Sequence, residues 1–234
     1  VGGQQSTGHV TVITELPRPA DNPVNVEVGS GAKYYALDTL SSLPDFDLLD
    51  PIGEEVVSQV NYPSTGGNFA GSGLSNDVGA VFEGYVEVPQ SDTYTLYVDS
   101  DDGSKLYIGE ELVVDNDGLH GMNEESGEIA LEVGLHSIRN EFFERDGGAG
   151  CIVRIAGGGL SKQVVPTSMW WHKVSIYGDI NGDGTIDVLD LLELIAAWGN
   201  CDMAPPGEGG DECDPDLNGD GNVDIEDLLE LIAQ

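Results

Sequence analysis

Residues 79–109 decide the fold of most of this chain and read GAVFEGYVEVPQSDTYTLYVDSDDGSKLYIG. In the first part of this stretch, apolar residues alternate with others, so that Phe82, Val86 and Val88 fall on one face. Glu83 and Glu87 fall on the opposite face. Because a period of two residues is the spacing of a β-strand with one buried face, we predict a strand over residues 80–88.

The alternation continues towards the C-terminus and is interrupted by turns rich in Asp and Gly, such as residues 100–103, 117–118 and 146–148. The further predicted strands cover residues 93–98, 105–108, 112–115, 128–133, 135–143 and 151–156. Short strands at this spacing are typical of a β-sandwich or barrel. We predict a mostly β chain whose largest domain is a β-sandwich.

The composition restricts the partners of the protein. The 234 residues contain 43 acidic and 8 basic side chains, which gives a formal net charge of −35. We expect no nucleic-acid partner, because a chain this acidic repels phosphate. We also expect no membrane insertion, because no run of about 18 apolar residues is present.

The acidic tail contains an internal repeat. Residues 179–190 read DINGDGTIDVLD and residues 216–227 read DLNGDGNVDIED, and 13 of the 18 positions that begin at Asp179 and Asp216 are identical. Each loop has oxygen-bearing side chains at positions 1, 3, 5, 9 and 12 and a glycine, Gly184 or Gly221, at position 6. Calcium requires such a set of oxygen ligands on a tightly turned loop. A solvated acidic turn has no reason to keep this spacing twice, so the pattern indicates calcium.

The two loops differ from a complete EF-hand in two respects. Position 12 is Asp190 or Asp227 instead of Glu, and residues 174–178 are too few and too β-like to form an entering helix. The apolar runs at residues 189–198 and 228–233 fit a helix after each loop. We therefore predict a small helical domain with two calcium-binding loop-helix motifs.

Residues 175–234 resemble a dockerin module, the paired half-EF-hand that attaches proteins to cohesin domains. The resemblance implies two calcium ions and a cohesin-like partner. The implied metal ligands are Asp179, Asn181, Asp183, Thr185, Asp187 and Asp190 in loop 1, and Asp216, Asn218, Asp220, Asn222, Asp224 and Asp227 in loop 2. Thr185 and Asn222 would bind through their main-chain carbonyls.

Loop positions 10 and 11 are the partner-binding positions that the resemblance implies. Dockerins of the cellulosome type often carry small hydroxyl residues there, whereas this chain has Val188, Leu189, Ile225 and Glu226. Two interpretations are open: these side chains contact an apolar cohesin groove, or they pack the two helices on each other.

The stretch quoted first closely resembles the protective-antigen domain family, the PA-fourteen module, together with residues 112–121, 134–144 and 147–150. This β-sandwich occurs in bacterial toxins, glycosidases and adhesins, and the resemblance covers about residues 28–169. In the lectins of the family, two adjacent aspartates joined by a cis peptide bond hold a calcium ion that coordinates vicinal hydroxyls of a sugar. Asp101 and Asp102 match that pair, and Asp146 and Gly148 match the second ligand loop by position.

Asp101 and Asp102 can also be interpreted as a turn. In that interpretation one aspartate caps the following backbone and Gly103 adopts a positive φ. The resemblance therefore predicts one further calcium ion and a carbohydrate ligand in the sandwich, and the alternative predicts neither.

We divide the chain into residues 1–27, a linker or the end of a preceding module, a β-sandwich at residues 28–172, and a dockerin at residues 173–234. The chain starts without Met or a signal peptide, so we interpret it as a segment of a longer protein, secreted or at the cell surface. Cys201 and Cys213 either form a disulfide bond or remain two thiols in a loop, and Cys151 is predicted to be a core residue.

The function that these features favour is a non-catalytic, calcium-dependent carbohydrate-binding module joined to a dockerin, within a larger polysaccharide-acting or cell-surface protein. One alternative is a structural or protein-binding β domain with only the dockerin active in assembly. The other is part of a glycosidase. No nucleophile elbow, His-Glu-x-x-His motif or phosphate loop is present in the sequence.

Overall fold

The computed structural model describes residues 16–200 and 215–233. Cys201 and Cys213, for which a disulfide bond and two thiols were both open, and residues 1–15 of the predicted linker or end of a preceding module lie outside the described residues. Within the described residues the chain forms two compact units, one with residues 16–22 and 28–171 and the other with residues 23–27, 172–200 and 215–233. The domain boundaries predicted from the sequence stay predictions.

Two antiparallel sheets form the first unit and its edges. The strands are β1 (Val26–Val28), β2 (Ser30–Ala36), β3 (Gly53–Val57), β4 (Asn61–Thr65), β5 (Val78–Val88), β6 (Asp92–Asp101), β7 (Ser104–Ile108), β8 (Glu111–Asn116), β9 (Asn123–Leu131), β10 (Gly134–Glu144), β11 (Ala149–Gly157), β12 (Leu160–Val164) and β13 (Trp170–Lys173). One sheet has the order β1-β13-β5-β10-β7-β8, with β2 paired to β5 and β3 to β2. The other has the order β12-β11-β6-β9, with β4 paired to β11.

The core lies between the sheets because every second side chain of the central strands is apolar. Phe82 and Phe142 come from one sheet and Leu96 and Val153 from the other, and all four are fully buried. This arrangement confirms the predicted β-sandwich. Cys151 is a free, buried thiol, as expected.

The observed strands extend the predicted ones where side chains are polar. β9 begins at Asn123, five residues before the predicted start, and its first four residues are exposed. Backbone pairing with β6, in which Glu124 lies opposite Asp99, sets the register of this part of β9. Because its side chains are polar, the sequence has no alternation of apolar residues there from which a strand could be predicted.

Residues 16–22, which we expected in a linker, lie along β9 and β10. The Arg18 backbone donates to Ala130 O (2.8 Å), and the Arg18 guanidinium donates to His136 Nδ1 (3.0 Å) and Asp21 Oδ1 (2.8 Å). His136 is fully buried, and its Nε2 donates to the Glu132 carbonyl (2.7 Å). Burial, with a smaller contribution from Arg18, lowers the pKa of His136.

The second unit contains the two predicted helices, so the chain is mostly β with a small helical end. The elements are α1 (Val188–Ala196), α2 (Ile225–Ile232) and a two-stranded ladder of β14 (Gly199–Asn200) and β15 (Asn222–Val223). The described buried apolar residues are Leu194, Ala197, Val223 and Leu231. This core is small, so the acidic loops must supply much of the structure of this unit.

Candidate metal centres

Loop 1, residues 179–190, is wound around its own side chains. Asp179 Oδ2 accepts the Gly184 N–H (2.8 Å), and Asn181 Oδ1 accepts the Asp183 N–H (2.8 Å). Asp183 Oδ1 accepts both the N–H and the hydroxyl of Thr185, and these bonds lower the pKa of Asp183. Gly184 has a φ of 91°, which explains the glycine at position 6.

The first turn of α1 brings position 12 back to the loop. Asp190 is fully buried, with Oδ1 accepting the Asn181 N–H (3.2 Å) and Oδ2 accepting the Asp187 N–H (2.7 Å). Asp187 in turn caps α1 by accepting the Leu189 N–H (2.7 Å). This reciprocal capping box places the carboxylates of positions 9 and 12 side by side at the C-terminal end of the loop.

Loop 2, residues 216–227, repeats the arrangement. Gly221 donates to Asp216 Oδ2 (2.8 Å), and Asp224 donates to the buried Asp227 Oδ2 (2.7 Å). Asn218 Oδ1 accepts the Asp220 N–H (2.8 Å), and Asp220 Oδ1 accepts the Asn222 N–H (2.9 Å). In each loop, hydrogen bonds therefore connect position 1 to position 6 and position 12 to positions 3 and 9, and the full ligand sets stay predictions.

The residues of both loops fit calcium. Asp179 Oδ1 is buried and has no hydrogen-bond partner among the described residues, so the loop leaves a carboxylate oxygen free for a cation. Residues 175–234 contain 16 acidic side chains and no basic one. Carboxylate, amide and carbonyl oxygens are the ligands that calcium prefers.

A second acidic centre lies at one end of the sandwich, where the β6–β7, β8–β9 and β10–β11 connections meet. The peptide bond between Asp101 and Asp102 is cis, the geometry that the resemblance implied. A ligand oxygen from each of Asp101, Asp102 and Glu144 lies within 4.8 Å of the other two. Three carboxylates at this distance form a candidate cation site.

Each aspartate of the pair is fixed by neighbouring groups. Asp102 Oδ1 accepts the His120 N–H (2.9 Å) and Oδ2 accepts the Arg145 N–H (3.1 Å). Asp101 Oδ2 accepts the Ser64 hydroxyl (2.8 Å), while burial and the neighbouring Asp102 raise the pKa of Asp101.

Glu144 was not among the residues predicted from the sequence. It is fully buried, and neither of its carboxylate oxygens has a hydrogen-bond partner among the described residues. Burial, followed by the charges of Asp102 and Asp101, raises the pKa of Glu144 to about 8. The sequence contained a signal, because Glu144 continues the inward-facing alternation of Asn140 and Phe142 in β10.

The two residues predicted in the second ligand loop lie in different surroundings. A Cβ built at Gly148 would lie 2.8 Å from Asp101 Oδ2, so the backbone passes beside the cluster. Asp146 instead accepts from Arg145 Nε (3.0 Å) with a side chain that is 70% exposed. Among the described residues, the three-carboxylate cluster does not include Asp146.

The predicted partner-binding residues lie on exposed helix faces. Val188 and Ile225 are 61% and 54% exposed, and Leu189, at position 11 of loop 1, is 48% exposed. Exposed apolar side chains recur in both helices at loop positions 10, 14 and 17: Val188, Leu192 and Ile195 in α1, and Ile225, Leu229 and Ile232 in α2. We call these six residues the apolar stripes. The second unit is instead packed by Leu194 and Leu231, which favours the first of the two interpretations.

Comparison with known families gives two matches. The family model of the PA14 domain matches residues 30–156, just over half of the chain, and that of the dockerin type I domain matches residues 177–234. Dockerin type I domains bind calcium and occur in secreted or cell-surface proteins. Among the described residues, no helix has the length and apolar character needed to span a membrane.

One curated relative is the anti-sigma-I factor RsgI3 of Acetivibrio thermocellus, which is 28% identical over 116 residues. The match covers 49% of this chain and 17% of that protein, so the chain spans about a sixth of its length.

Two solved structures show the same fold. The PA14 domain of the MpAFP antifreeze protein is 17% identical with a TM-score of 0.57, and the match covers 66% of this chain and 96% of that one. The PA14 sugar-binding domain from an RTX adhesin is 20% identical with a TM-score of 0.53, over 62% of this chain and 98% of that one.

Proposed function

Because this chain belongs to the PA14 domain family and carries a dockerin type I domain, we propose that it is a non-catalytic module with two binding ends. The sandwich binds carbohydrate through a calcium ion, and the dockerin, with two further ions, docks on a cohesin-type partner. Both matched domains are non-catalytic. The parent protein is secreted or at the cell surface and acts on polysaccharide. The net charge of −35 suits an extracellular location.

The observation that carries the carbohydrate proposal is the cluster of Asp101, Asp102 and Glu144. Two of its carboxylates are almost fully removed from water, which is costly unless a cation or proton neutralises them. A bound calcium ion would supply open coordination positions for vicinal sugar hydroxyls. The Ser64 hydroxyl donates to Asp101, and the Gly148 backbone passes beside the same carboxylate. The backbone amides of His120 and Arg145 orient Asp102.

Glycan binding by the intact chain tests this proposal. We expect binding in calcium, loss of binding in a chelator, and loss with Asp102→Asn, which weakens the ion's ligand set. Glu111→Gln is the control, because Glu111 is an exposed carboxylate at the start of β8, away from the connections that form the cluster. Binding that survives both the chelator and Asp102→Asn would contradict the proposal.

The apolar stripes carry the docking proposal. Exposed Val, Leu and Ile side chains repeated on two helices form a surface that a partner with an apolar groove would cover. We expect Val188→Asp combined with Ile225→Asp to weaken cohesin binding at least tenfold, because a charge would be buried in the interface. Glu193→Gln, which changes a charge on α1 outside the stripes, should leave binding unchanged.

A second candidate function follows from the relative named as an anti-sigma-I factor, since that name describes a regulator and not a sugar-binding protein. In this case the sandwich is a structural or protein-binding domain, and only the dockerin acts in assembly. Calcium-dependent cohesin capture together with no binding to any arrayed glycan would favour this candidate.

A further inference from the structure

The two acidic loops share their hydrogen bonds but not their surroundings. At Gly184 of loop 1, a Cβ atom would lie 2.2 Å from Val24 Cγ2 and 2.4 Å from Asn25 Nδ2. At Gly221, the equivalent glycine of loop 2, a Cβ atom would have no described atom within 4 Å. A segment from the beginning of the chain therefore lies against loop 1 and not against the same place in loop 2.

We call residues 23–25 the loop-1 cover. They belong to the same compact unit as the dockerin, although the sandwich separates the two in the sequence. The Asn25 carbonyl accepts the Val174 N–H (2.8 Å) shortly before loop 1 begins, which fixes the cover to the chain that enters the loop. Asn25 has a φ of 53°, and its buried Nδ2 lies beside Gly184.

The cover changes the exposure of equivalent groups. The bond from the Gly184 amide to Asp179 is partly buried, whereas the matching bond from Gly221 to Asp216 is exposed. The difference lies at the turn where the ligands at positions 1, 5 and 7 converge. Water therefore has less access to the hydrogen bond between the Gly184 amide and Asp179 than to its counterpart in loop 2, while the other matched hydrogen bonds of the two loops are equally exposed.

We propose that the loop-1 cover makes the two calcium sites unequal, so that loop 1 binds calcium more tightly than loop 2. This inference rests on the proposal that each loop holds one ion. Contacts that already order a loop reduce the conformational entropy it loses on binding, and partial exclusion of water strengthens the attraction between carboxylates and a cation.

Lys173, the one Lys or Arg among the described residues of the second unit, would act against this effect. Its Nζ lies 3.6 Å from a Cβ built at Gly182, but the side chain is exposed, so solvent screens its charge. The ordering effect of the cover is therefore expected to dominate.

The Gly184 and Gly221 amides provide matched reporters in the intact chain, because each donates to the first aspartate of its own loop at 2.8 Å. We expect their NMR signals to shift on calcium titration of the chelated protein, with the Gly184 midpoint at a free calcium concentration lower by on the order of fivefold. Val24→Ala removes the methyl group nearest loop 1 and should reduce this difference to about twofold or less.

Val28→Ala is the control, because Val28 is a valine of almost equal exposure, 52% against 53% for Val24, and is not among the described neighbours closest to a Cβ atom at Gly184 or Gly221. It should leave both midpoints unchanged. Equal midpoints in the unmodified chain, or the same shift of both midpoints with Val24→Ala, would overturn the inference while leaving two calcium ions in place. An amide that never responds to calcium would instead contradict the two-ion proposal.

Discussion

The sandwich and the dockerin both gather carboxylates, but they differ in what holds the carboxylates together. Twenty-six buried apolar residues form the main core of the sandwich, whereas four buried apolar residues form the core of the described part of the dockerin. In the sandwich, strands that pack on an apolar core carry the acidic cluster at their ends. In the dockerin, the acidic loops are themselves most of the fold. Under the proposed function, calcium would therefore have a ligand-binding role in the sandwich and a structural role in the dockerin.

Chelation of calcium is the largest test of this difference. We expect residues 172–200 and 215–233 to unfold in a chelator while residues 28–171 stay folded, because the 16 acidic charges of residues 175–234 repel and four buried side chains supply little stability. Hydrogen exchange followed by mass spectrometry on the intact chain would locate the change. Unchanged protection of residues 188–196 and 225–232 after chelation would show that the dockerin does not depend on its ions.

How much the sequence predicts also differs between the regions. The ligands of each dockerin loop lie within 12 consecutive residues. The sequence predicts each of them by number, because their spacing along the loop specifies the geometry. The sandwich cluster joins residues 101, 102 and 144, which only the pairing of β10 and β11 with their neighbours brings together. Asp101 and Asp102 were identified through a family resemblance, and Glu144 was missed. The loop-1 cover is also nonlocal, since about 160 residues separate Val24 from Gly184.

Glu144→Gln gives the next largest expected effect and separates binding from folding. Gln mimics the protonated carboxyl that burial and the two aspartates favour, with a pKa near 8. The free energy of unfolding in a chelator at pH 7 should therefore change by less than about 1 kcal/mol. The calcium affinity of the sandwich should fall by about tenfold or more, because one of three carboxylates is lost.

Isothermal titration with calcium and thermal unfolding in a chelator measure these two effects of Glu144→Gln. Glu111→Gln removes one exposed carboxylate from the same sheet and should change neither. A sandwich that binds calcium equally well with and without the Glu144 carboxylate would show that Glu144 is not a ligand.

Arg18→Ala has the smallest expected effect and acts on the metal-independent stability of the sandwich. The guanidinium bonds His136 and Asp21, and we expect its loss to lower the free energy of unfolding by about 1 kcal/mol. The pKa of His136 is lowered in the folded state, so below its ordinary value of 6.5 the unfolded chain binds the proton more readily. The contribution of neutral His136 to stability is therefore present above pH 6.5 and is lost as the pH falls further.

Of the charged groups around His136, Arg18 opposes its protonation, whereas Asp21 and Glu132 favour it. Arg18→Ala should therefore make the loss of stability below pH 6.5 shallower, which a purely packing role of Arg18 would not do. Denaturant unfolding of the sandwich between pH 5 and pH 8, in a chelator so that neither metal region contributes, measures both effects. A parallel pH dependence in the variant and the unmodified chain would contradict the electrostatic role of Arg18 while leaving its contribution to packing.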